Sequence, residues 1–339
     1  MLSRTLLPAL KLRTKISPSL SPHYRMMQDQ IGIPACFSSR ENNKLTSDDN
    51  PAAITSSGQS IFVSVYRAKF SDQRRLVTVT WCKNLLLHEL SVSVDCNGGE
   101  RRRTAACKVE LKPWCFWRKQ GSKRVEVDGK TVEVFWDLKA AKFNGETEPR
   151  SEYYVAVVCE DEVVLLLGDM KNDAYRKTGC RPALVDPVLV SRKEHVFGKK
   201  KFQTRVKVEE KGKHHEISVE WKNRNGEDPE MEINVDDNSV IHVKHLQWKF
   251  RGNECLDLTD KVRIQVFWDV HDWLFCPGLK HALFIFKPVL TSPPPSSPSF
   301  SSSSSSTTST PFMSSCYSSS STTSSSYEFC LILYAWKGE

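Results

Sequence analysis

The sequence predicts a mainly β protein, built from two tandem copies of an antiparallel β-sandwich or β-barrel unit of about eight strands, with few short helices. From residue 61 onward, polar and apolar residues alternate, which is typical of half-buried strands. The same strand patterns return later in the chain, with Trp221 matching Trp81 and Trp268 matching Trp136. Helix signals are sparse. Together these observations favour a duplicated β fold.

Composition and strand pattern divide the chain into six predicted parts. They are a disordered N-terminal leader at 1–58, a first β unit at 59–167, a connector with a short helix at 168–200, a second β unit at 201–290, a disordered Ser-rich insertion at 291–327, and a closing strand of the second unit at 328–339.

The first unit contains eight runs with strand character. The predicted strands lie near 62–66, 76–81, 90–95, 107–111, 124–127, 131–136, 153–159 and 163–167. The last two runs are almost continuously apolar, as expected for strands covered on both faces. Asp128-Gly129, between two alternating runs, predicts a tight type I′ hairpin turn.

The second unit repeats this order at nearly constant offsets. Trp81 and Trp221 are 140 residues apart, whereas Phe135-Trp136-Asp137 and Phe267-Trp268-Asp269 are 132 apart. The partner expected for the apolar run 282–286 is found only at 329–336, beyond the Ser-rich tract. We therefore expect the tract to be an insertion within a hairpin, because closure entropy rises only slowly with loop length.

Three acidic residues are predicted to begin helical turns. Asp169 is the expected N-cap of a helix that runs to Lys177, with Gly179 just past its end. Asp137 and Asp269, each directly after a tryptophan, are expected to cap a shorter turn.

The net charge of +8 is unevenly distributed. Residues 1–25 carry +5 without any acid, and residues 59–290 carry +6, which permits an anionic partner without requiring one. The acid-free start has two explanations: a transit peptide for organellar import, or extra sequence before a start at Met26 or Met27. The short apolar face, followed by Pro18 and Pro22, favours the second explanation.

The eleven cysteines include no Cys-x-x-Cys pair, so the spacing of a zinc knuckle or redox motif is absent. Several lie in apolar runs, where a reduced thiol packs as a small hydrophobe. An intracellular, cytoplasmic or nuclear location is expected. No apolar run is long enough to span a bilayer.

Common catalytic signatures are missing, and no catalytic residue, cofactor or metal site is predicted. The histidine pairs 214/215 and 242/245 do not suggest a metal site, because strand residues one or three apart point to opposite faces. These histidines are expected to be structural or exposed.

Basic clusters are the best candidates for a binding function. The candidate anion-binding residues are Arg101, Arg102, Arg103, Arg118, Lys119, Lys123, Lys199, Lys200 and Lys201. Such loops could grip anionic lipid, nucleic acid or acidic protein. The alternative is a solvated β surface that uses Lys and Arg against aggregation. Trp114, Trp117, Trp248 and Trp273, near loops, are candidates for ligand contact.

Three functional hypotheses follow. The first, which we favour, is a non-enzymatic binding or scaffold module with basic loops for an anionic partner. The second is an enzyme with a dispersed site between the two units, using residues such as His195, Asp137 or Asp269. The third is an interaction protein regulated through its Ser-rich loop, where Ser292 and Ser297 precede prolines.

Several long motifs carry a family resemblance. They include VTWCKNLLLHELSVSV, KVELKPWCFWRKQGSK, LVSRKEHVFGKKKF, VKHLQWKFRG, FWDVHDWLF and EFCLILYAWK. The chain resembles, over residues 27–339, a plant family designated domain of unknown function 868. The resemblance implies a plant source and a start at Met27. It assigns no activity, and it carries over no catalytic residue, cofactor or partner.

Overall fold

The computed structural model describes residues 59–84, 87–96, 104–111, 119–207, 212–222, 228–258, 262–290 and 329–337. Within them the chain forms eighteen strands and two helices, so the mainly β class is confirmed. The predicted leader at 1–58 and the predicted insertion at 291–327 lie outside the described residues.

The first nine strands occupy the N-terminal half of the described chain. They are β1 (Ser60–Phe70), β2 (Gln73–Lys83), β3 (His88–Asp95), β4 (Thr104–Leu111), β5 (Gln120–Val127), β6 (Lys130–Asp137), β7 (Tyr154–Cys159), β8 (Glu162–Gly168) and β9 (Arg181–Pro182). Helix α1 (Lys171–Thr178) precedes β9.

The other nine strands follow. They are β10 (Val188–Phe197), β11 (Lys201–Lys207), β12 (His214–Lys222), β13 (Glu230–Val235), β14 (Asn238–Val243), β15 (Arg251–Asp257), β16 (Val262–Asp269), β17 (His281–Leu290) and β18 (Cys330–Trp336). Helix α2 (His271–Phe275) lies between β16 and β17. Neither helix of the described chain is long or apolar enough to cross a lipid bilayer.

Three sheets are formed. The largest has nine strands in the order β15-β16-β17-β18-β10-β1-β2-β3-β4; β11 to β14 form a four-stranded sheet, and β5 to β9 a five-stranded sheet. Neighbouring strands are antiparallel except in two pairs, β10 with β18 and β8 with β9, which are parallel.

The two smaller sheets pack side by side on one face of the nine-stranded sheet. Phe62, Glu194 and Leu333 are register partners across β1, β10 and β18, so their side chains share a face. Phe62 packs against the core between β1–β4 and the five-stranded sheet. Leu333 belongs to the core between β15–β18 and the four-stranded sheet. The large sheet is therefore common to two adjacent sandwiches.

A buried tryptophan occupies the middle of each core. Trp81 on β2 is 1% exposed and meets the rings of Phe143 and Tyr153 edge-on. Trp221 on β12 stacks on Trp273, with ring centroids 4.3 Å apart. The outer face of the five-stranded sheet forms a third, smaller core around Ala174 of α1.

Each sandwich also pairs a glycine with a tryptophan across two strands. Gly121 faces Trp136, and Gly252 faces Trp268. A Cβ at Gly121 would lie 3.0 Å from its indole ring, and one at Gly252 only 2.1 Å from its ring. The repeated pairing agrees with the internal duplication, which stays a prediction.

The predicted turn chemistry is only partly correct. Asp128 and Gly129 have φ of 49° and 77°, as a type I′ hairpin turn requires, so that expectation is confirmed. Gly179 ends α1 in a left-handed conformation, also as predicted. The N-cap, however, is Met170. Asp169 was wrongly expected there; its Oδ1 instead accepts a hydrogen bond from the Tyr153 amide at 3.2 Å.

The two Trp-Asp sequences behave differently. Asp269 Oδ1 accepts a 3.1 Å hydrogen bond from the amide of His271 at the start of α2. Asp137 Oδ1 accepts the equivalent bond from the Lys139 amide, also at 3.1 Å, but no helix follows. The helical turn expected after Asp137 is therefore wrong.

Two strands connect the sandwiches. β10 lies inside the segment predicted as a connector, yet it is central to the large sheet, between β1 and β18. β18 pairs antiparallel with β17, the pairing that the duplication hypothesis requires, and parallel with β10. The six-part division of the chain itself stays a prediction.

Candidate functional site

A cavity of about 500 Å³ lies at the seam between the two smaller sheets. Its floor is formed by Ser60 and Phe62 of β1 and by Arg192, Glu194 and Val196 of β10, which share one face of the large sheet. Its walls come from residues 145–147 and 150, from the turn and strand at 199–205, and from the side chains of Lys83 and Glu216. The volume lies within the range of small-molecule sites, about 300–1,000 Å³.

An ion-pair network forms the floor of the cavity. The Nε of Arg192 donates to Glu194 Oε1 at 2.6 Å, and Nη1 donates to Glu148 Oε2 at 2.9 Å. Glu194 is 2% exposed, and its Oε1 also accepts a 2.7 Å hydrogen bond from Thr204 of β11. The network thus ties the large sheet to the four-stranded sheet and to the 145–150 segment.

Alternation along β10 explains this geometry. Residues 192 and 194 are two apart, so both side chains point from the same face of the strand into the seam. Burial disfavours the charged form of Arg192, but the charges of Glu194 and Glu148 outweigh it and raise the pKa of the guanidinium. Arg192 also lies over the Phe62 ring, 4.9 Å from its centroid. The guanidinium is therefore permanently charged and firmly held.

The pKa of Tyr66 is shifted by the same burial and by a charge of the same network. Burial, reinforced by the negative charge of Glu148, raises the pKa of its phenol to about 12. The phenol therefore stays neutral at physiological pH and does not serve as a base.

Two further arginines of the lining are also neutralised. Arg150 pairs with Glu146, whose pKa is lowered chiefly by the hydrogen bond from that guanidinium. Arg205 Nε lies 3.4 Å from Glu216 Oε2. Each arginine of the lining is thus matched by a glutamate of the lining.

The lysines of the lining, in contrast, form no ion pair with a carboxylate of the lining among the described residues. Lys201 Nζ lies 3.3 Å from Glu220 Oε2, a carboxylate outside the cavity. Lys83 donates to the backbone carbonyl of Gly145, which carries no charge. Within the described part of the chain, no ion pair joins Lys83 or Lys199 to a carboxylate. The cavity therefore keeps an excess of positive charge at these two lysines.

The predicted anion-binding residues are only partly placed here. Arg101, Arg102, Arg103 and Arg118 lie outside the described residues. Lys119 directly precedes β5 and Lys123 lies within it, and neither lines the cavity. Lys199 and Lys200 lie in the turn between β10 and β11, and Lys201 is the first residue of β11. Of these, Lys199 and Lys201 line the cavity.

The residues of the enzyme hypothesis are not brought together. His195 points from the opposite face of β10 to Glu194 and stacks on Tyr334, with centroids 4.6 Å apart. Asp137 and Asp269 end β6 and β16 and accept backbone hydrogen bonds. None of the three lines the cavity.

Of the tryptophans predicted to contact a ligand, those within the described residues do not line the cavity. Trp114 and Trp117 lie outside the described residues, and Trp273 packs on Trp221. Trp248 is 82% exposed and does not line the cavity.

Sequence reasoning missed the floor of the cavity. Arg192 and Glu194 lie in a basic cluster at residues 191–201 of which only Lys199, Lys200 and Lys201 are predicted to bind an anion, and Glu148 and Lys83 are not among the candidates. One signal was available in the sequence: Arg192 and Glu194 are two residues apart, in a run flanked by strand-forming Val and Leu. In a strand, this spacing puts the two opposite charges on the same face.

Three histidines of the pairs 214/215 and 242/245 lie beside three different carboxylates. His215 contacts Asp236 at 2.8 Å, His242 contacts Glu230 at 3.1 Å, and His245 contacts Asp228 at 2.9 Å. A separate group that could hold a metal ion consists of His271, Asp272 and Cys276, whose ligand atoms lie within 4.8 Å of one another.

The fold and the site define a class of protein: a β protein of three sheets, with a charged polar cavity where two sandwiches meet on a shared sheet. The chain belongs to the family of plant proteins of unknown function (DUF868), whose family model matches residues 57–337. The resemblance inferred from the motifs is thereby confirmed. Neither a comparison with curated proteins nor one with solved structures found a match.

Proposed function

We propose that the protein is a non-enzymatic binding module whose seam cavity takes a small anionic ligand carrying a phosphate or carboxylate group. One observation carries the proposal: Lys83 and Lys199 line a cavity of about 500 Å³ and pair with no described carboxylate, whereas each arginine of the lining pairs with a glutamate. An anion that reaches both lysines would supply the missing negative charge.

The rest of the lining fits a ligand of this kind. The hydroxyls of Ser60 and Thr147 hydrogen-bond each other at the cavity wall and could turn towards ligand oxygens. Arg192 is held by two carboxylates and orders the floor, so little reorganisation is needed on binding. The floor of the site is therefore pre-formed on β1 and β10.

The cavity also favours a small ligand over a macromolecule. Nucleic acid and anionic membranes are gripped by exposed basic surfaces that track many charges. Here Lys83 and Lys199 instead line one cavity that also has acidic side chains in its lining, which would repel a long polyanion. Binding of anionic lipid or of nucleic acid is an outcome that the test separates from this proposal.

The experiment is calorimetric titration of the full chain with inorganic pyrophosphate. The test variants are Lys199→Gln and Lys83→Gln, and the matched control is Lys123→Gln on β5, a lysine outside the cavity. Each test variant should weaken binding about threefold to tenfold, the effect of losing one partly screened charge pair. The control should bind like the wild type.

Three results would overturn the proposal. They are no measurable pyrophosphate binding, equal weakening in the control variant, or binding of anionic phospholipid vesicles or oligonucleotides that Lys199→Gln leaves unchanged while Lys123→Gln abolishes it. The last result would assign the function to the exposed basic surface.

The proposed setting is intracellular, cytoplasmic or nuclear. None of the eight cysteines within the described residues forms a disulfide, and three of them, Cys107, Cys159 and Cys330, are buried. Eight cysteines without a disulfide support a reducing compartment. Fluorescence imaging of a tagged full-length chain in plant cells tests this; a secreted product would contradict it.

A further inference from the structure

We infer that His271, Asp272 and Cys276 form a binding site for a single transition-metal ion of the zinc type, at the corner between β16 and β17. The site is separate from the seam cavity, since none of the three residues lines it. The inference does not depend on the proposed function.

The three side chains already converge. His271 Nδ1 lies 2.9 Å from Asp272 Oδ1, and Cys276 Sγ lies 3.8 Å from the same oxygen. All three ligand atoms lie within 4.8 Å of one another. In a tetrahedral zinc site with bonds of about 2.0–2.3 Å, ligand atoms are separated by roughly 3.3–3.7 Å. Side-chain adjustments of about 1 Å or less would complete the geometry.

Local structure explains why the ligands meet. Asp269 accepts a hydrogen bond from the His271 amide just before α2, although the N-cap of that helix is Val270 and not the predicted Asp269. The amide of Cys276 then donates to the Asp272 carbonyl at 3.1 Å, which closes the turn and brings residue 276 back over residue 272. The backbone thus fixes the spacing of the ligands before any ion binds.

The chemistry of the three ligands selects the ion. Imidazole nitrogen, carboxylate oxygen and thiolate sulfur together suit zinc, whereas calcium and magnesium prefer sites made only of oxygen atoms. Binding replaces the thiol proton of Cys276, which is released to solvent. Three protein ligands leave one coordination position for water or another small donor.

The surroundings keep the site accessible and its carboxylate available. Asp272 is half exposed, and within the described residues no lysine or arginine forms an ion pair with it. The rings of Phe250 and Phe275 lie 5.2 and 5.3 Å from the His271 ring and limit its movement. An ion can therefore reach ligands that are held in place.

Among the described residues, the corresponding corner of the first sandwich has no equivalent group of ligands. Asp137 matches Asp269, but the residues that follow it are Leu138, Lys139 and Ala140, which offer no metal ligand. The site would therefore belong to one corner of the molecule. The turn that carries the ligands also positions Trp273 on the core residue Trp221, so a bound ion would stabilise that core.

The experiment uses the full chain after removal of metal by a chelator and titrates it with Co²⁺, followed by competition with Zn²⁺. One equivalent should bind and give a thiolate-to-cobalt absorption band that Zn²⁺ removes. Cys276→Ser should abolish the band, and His271→Gln should weaken Zn²⁺ binding by about tenfold or more, since changes even beyond the ligands often cost that much.

The controls come from the same chain. Cys255→Ser removes an exposed thiol on β15, and His242→Gln removes an exposed histidine on β14; both variants should keep the band and the affinity. Far-ultraviolet circular dichroism confirms that each variant is folded. A band that survives in folded Cys276→Ser, the loss of the band in Cys255→Ser, or no stoichiometric binding by the wild type would overturn the inference.

Discussion

At the residue scale, the packing of Trp268 leaves no room for a side chain on the facing strand. Gly252 lies opposite it in register, and a Cβ there would lie 2.1 Å from the indole. Trp268 is 6% exposed, and its Nε1 donates to the Lys249 carbonyl at 3.1 Å, so the ring cannot move without losing a hydrogen bond. Glycine is required here by space rather than by backbone conformation.

Gly252→Ala should therefore lower the free energy of unfolding by about 1–3 kcal/mol, the usual cost of overpacking a core. Urea denaturation measures the change. Gly121→Ala, which meets Trp136 at 3.0 Å, is the matched comparison and should cost less. Equal stability of Gly252→Ala and the wild type would show that the ring is freer than its contacts indicate.

The protonation state of His195 is determined mainly by its burial. It is 6% exposed, and its Nδ1 accepts a 3.2 Å hydrogen bond from Trp336 Nε1, which requires a neutral ring. Burial, with a smaller contribution from the charge of His281, lowers its pKa from 6.5 to about 3. The folded state therefore binds this proton less readily than the unfolded state.

His195 makes the folded protein less stable as the pH falls. Because the folded pKa is lowered, the stability from His195 is fully present above pH 6.5 and is lost progressively as the pH falls towards 3. Between these limits one such group contributes a slope of about 1.4 kcal/mol per pH unit. Burial also lowers the pKa of His88 and His281, so their effects have the same direction.

His195→Gln keeps an acceptor for Trp336 and removes the titrating ring. Urea denaturation at several pH values between 7 and 4 should show a shallower loss of stability than in the wild type. His242→Gln, at an exposed position, should leave the slope unchanged. An unchanged slope in His195→Gln would mean that this histidine is not a buried neutral ring.

At the scale of elements, β18 holds the large sheet together. It hydrogen-bonds to β17 on one side and to β10 on the other, and all seven of its residues are buried. Leu331 and Leu333 are fully buried within the core of the second sandwich. Without β18, both β17 and β10 would lose a hydrogen-bonded neighbour, and the core of the second sandwich would be exposed to solvent.

Deletion of residues 328–339 should therefore abolish the cooperative thermal transition or lower it sharply. The reason is that the truncated chain would expose two strand edges and much of an apolar core. Circular dichroism during heating measures the transition. Deletion of 338–339 alone is the control, and a 328–339 deletion with the melting temperature of the wild type would contradict the role of β18.

β18 and β10, which are neighbours in the large sheet, show how much of the fold can be predicted from the sequence alone. β18 was recognisable because Cys330–Trp336 is a continuous apolar run, the pattern of a strand covered on both faces. The sequence places β10 in a connector because the span 168–200 has no counterpart in the second copy, and the strand itself carries the charged or polar residues Arg192, Lys193, Glu194 and His195. Those charges are compatible with a central strand only because distant partners, Glu148 and Thr204, neutralise or hydrogen-bond them.

The candidate site was predictable to a similar extent. Lys199 and Lys201 were found because a run of lysines is visible in sequence, and both line the cavity. Lys83 and the 145–150 segment could not be found, because long-range contacts such as Ser60 with Thr147 and Lys83 with Gly145 bring them to the seam. Alternation predicts which face a residue occupies, but not which distant strand lies beside it.

At the scale of the whole molecule, the shared nine-stranded sheet brings the two smaller sheets of the described chain together at a seam. Two sandwiches side by side on one face leave a gap between them, and polar side chains fill it as ion pairs instead of apolar packing. Such a polar gap, with Lys83 and Lys199 left over, is where binding is proposed.

Hydrogen–deuterium exchange with and without inorganic pyrophosphate tests this claim most directly. Ligand in the seam should slow exchange in residues 145–150 and 199–205 together, because both segments form the cavity walls. Residues 120–127 of β5, which carry Lys123 but do not line the cavity, should be unaffected. Protection confined to β5, or no protection at 145–150 and 199–205 at saturating pyrophosphate, would contradict the seam as the binding site.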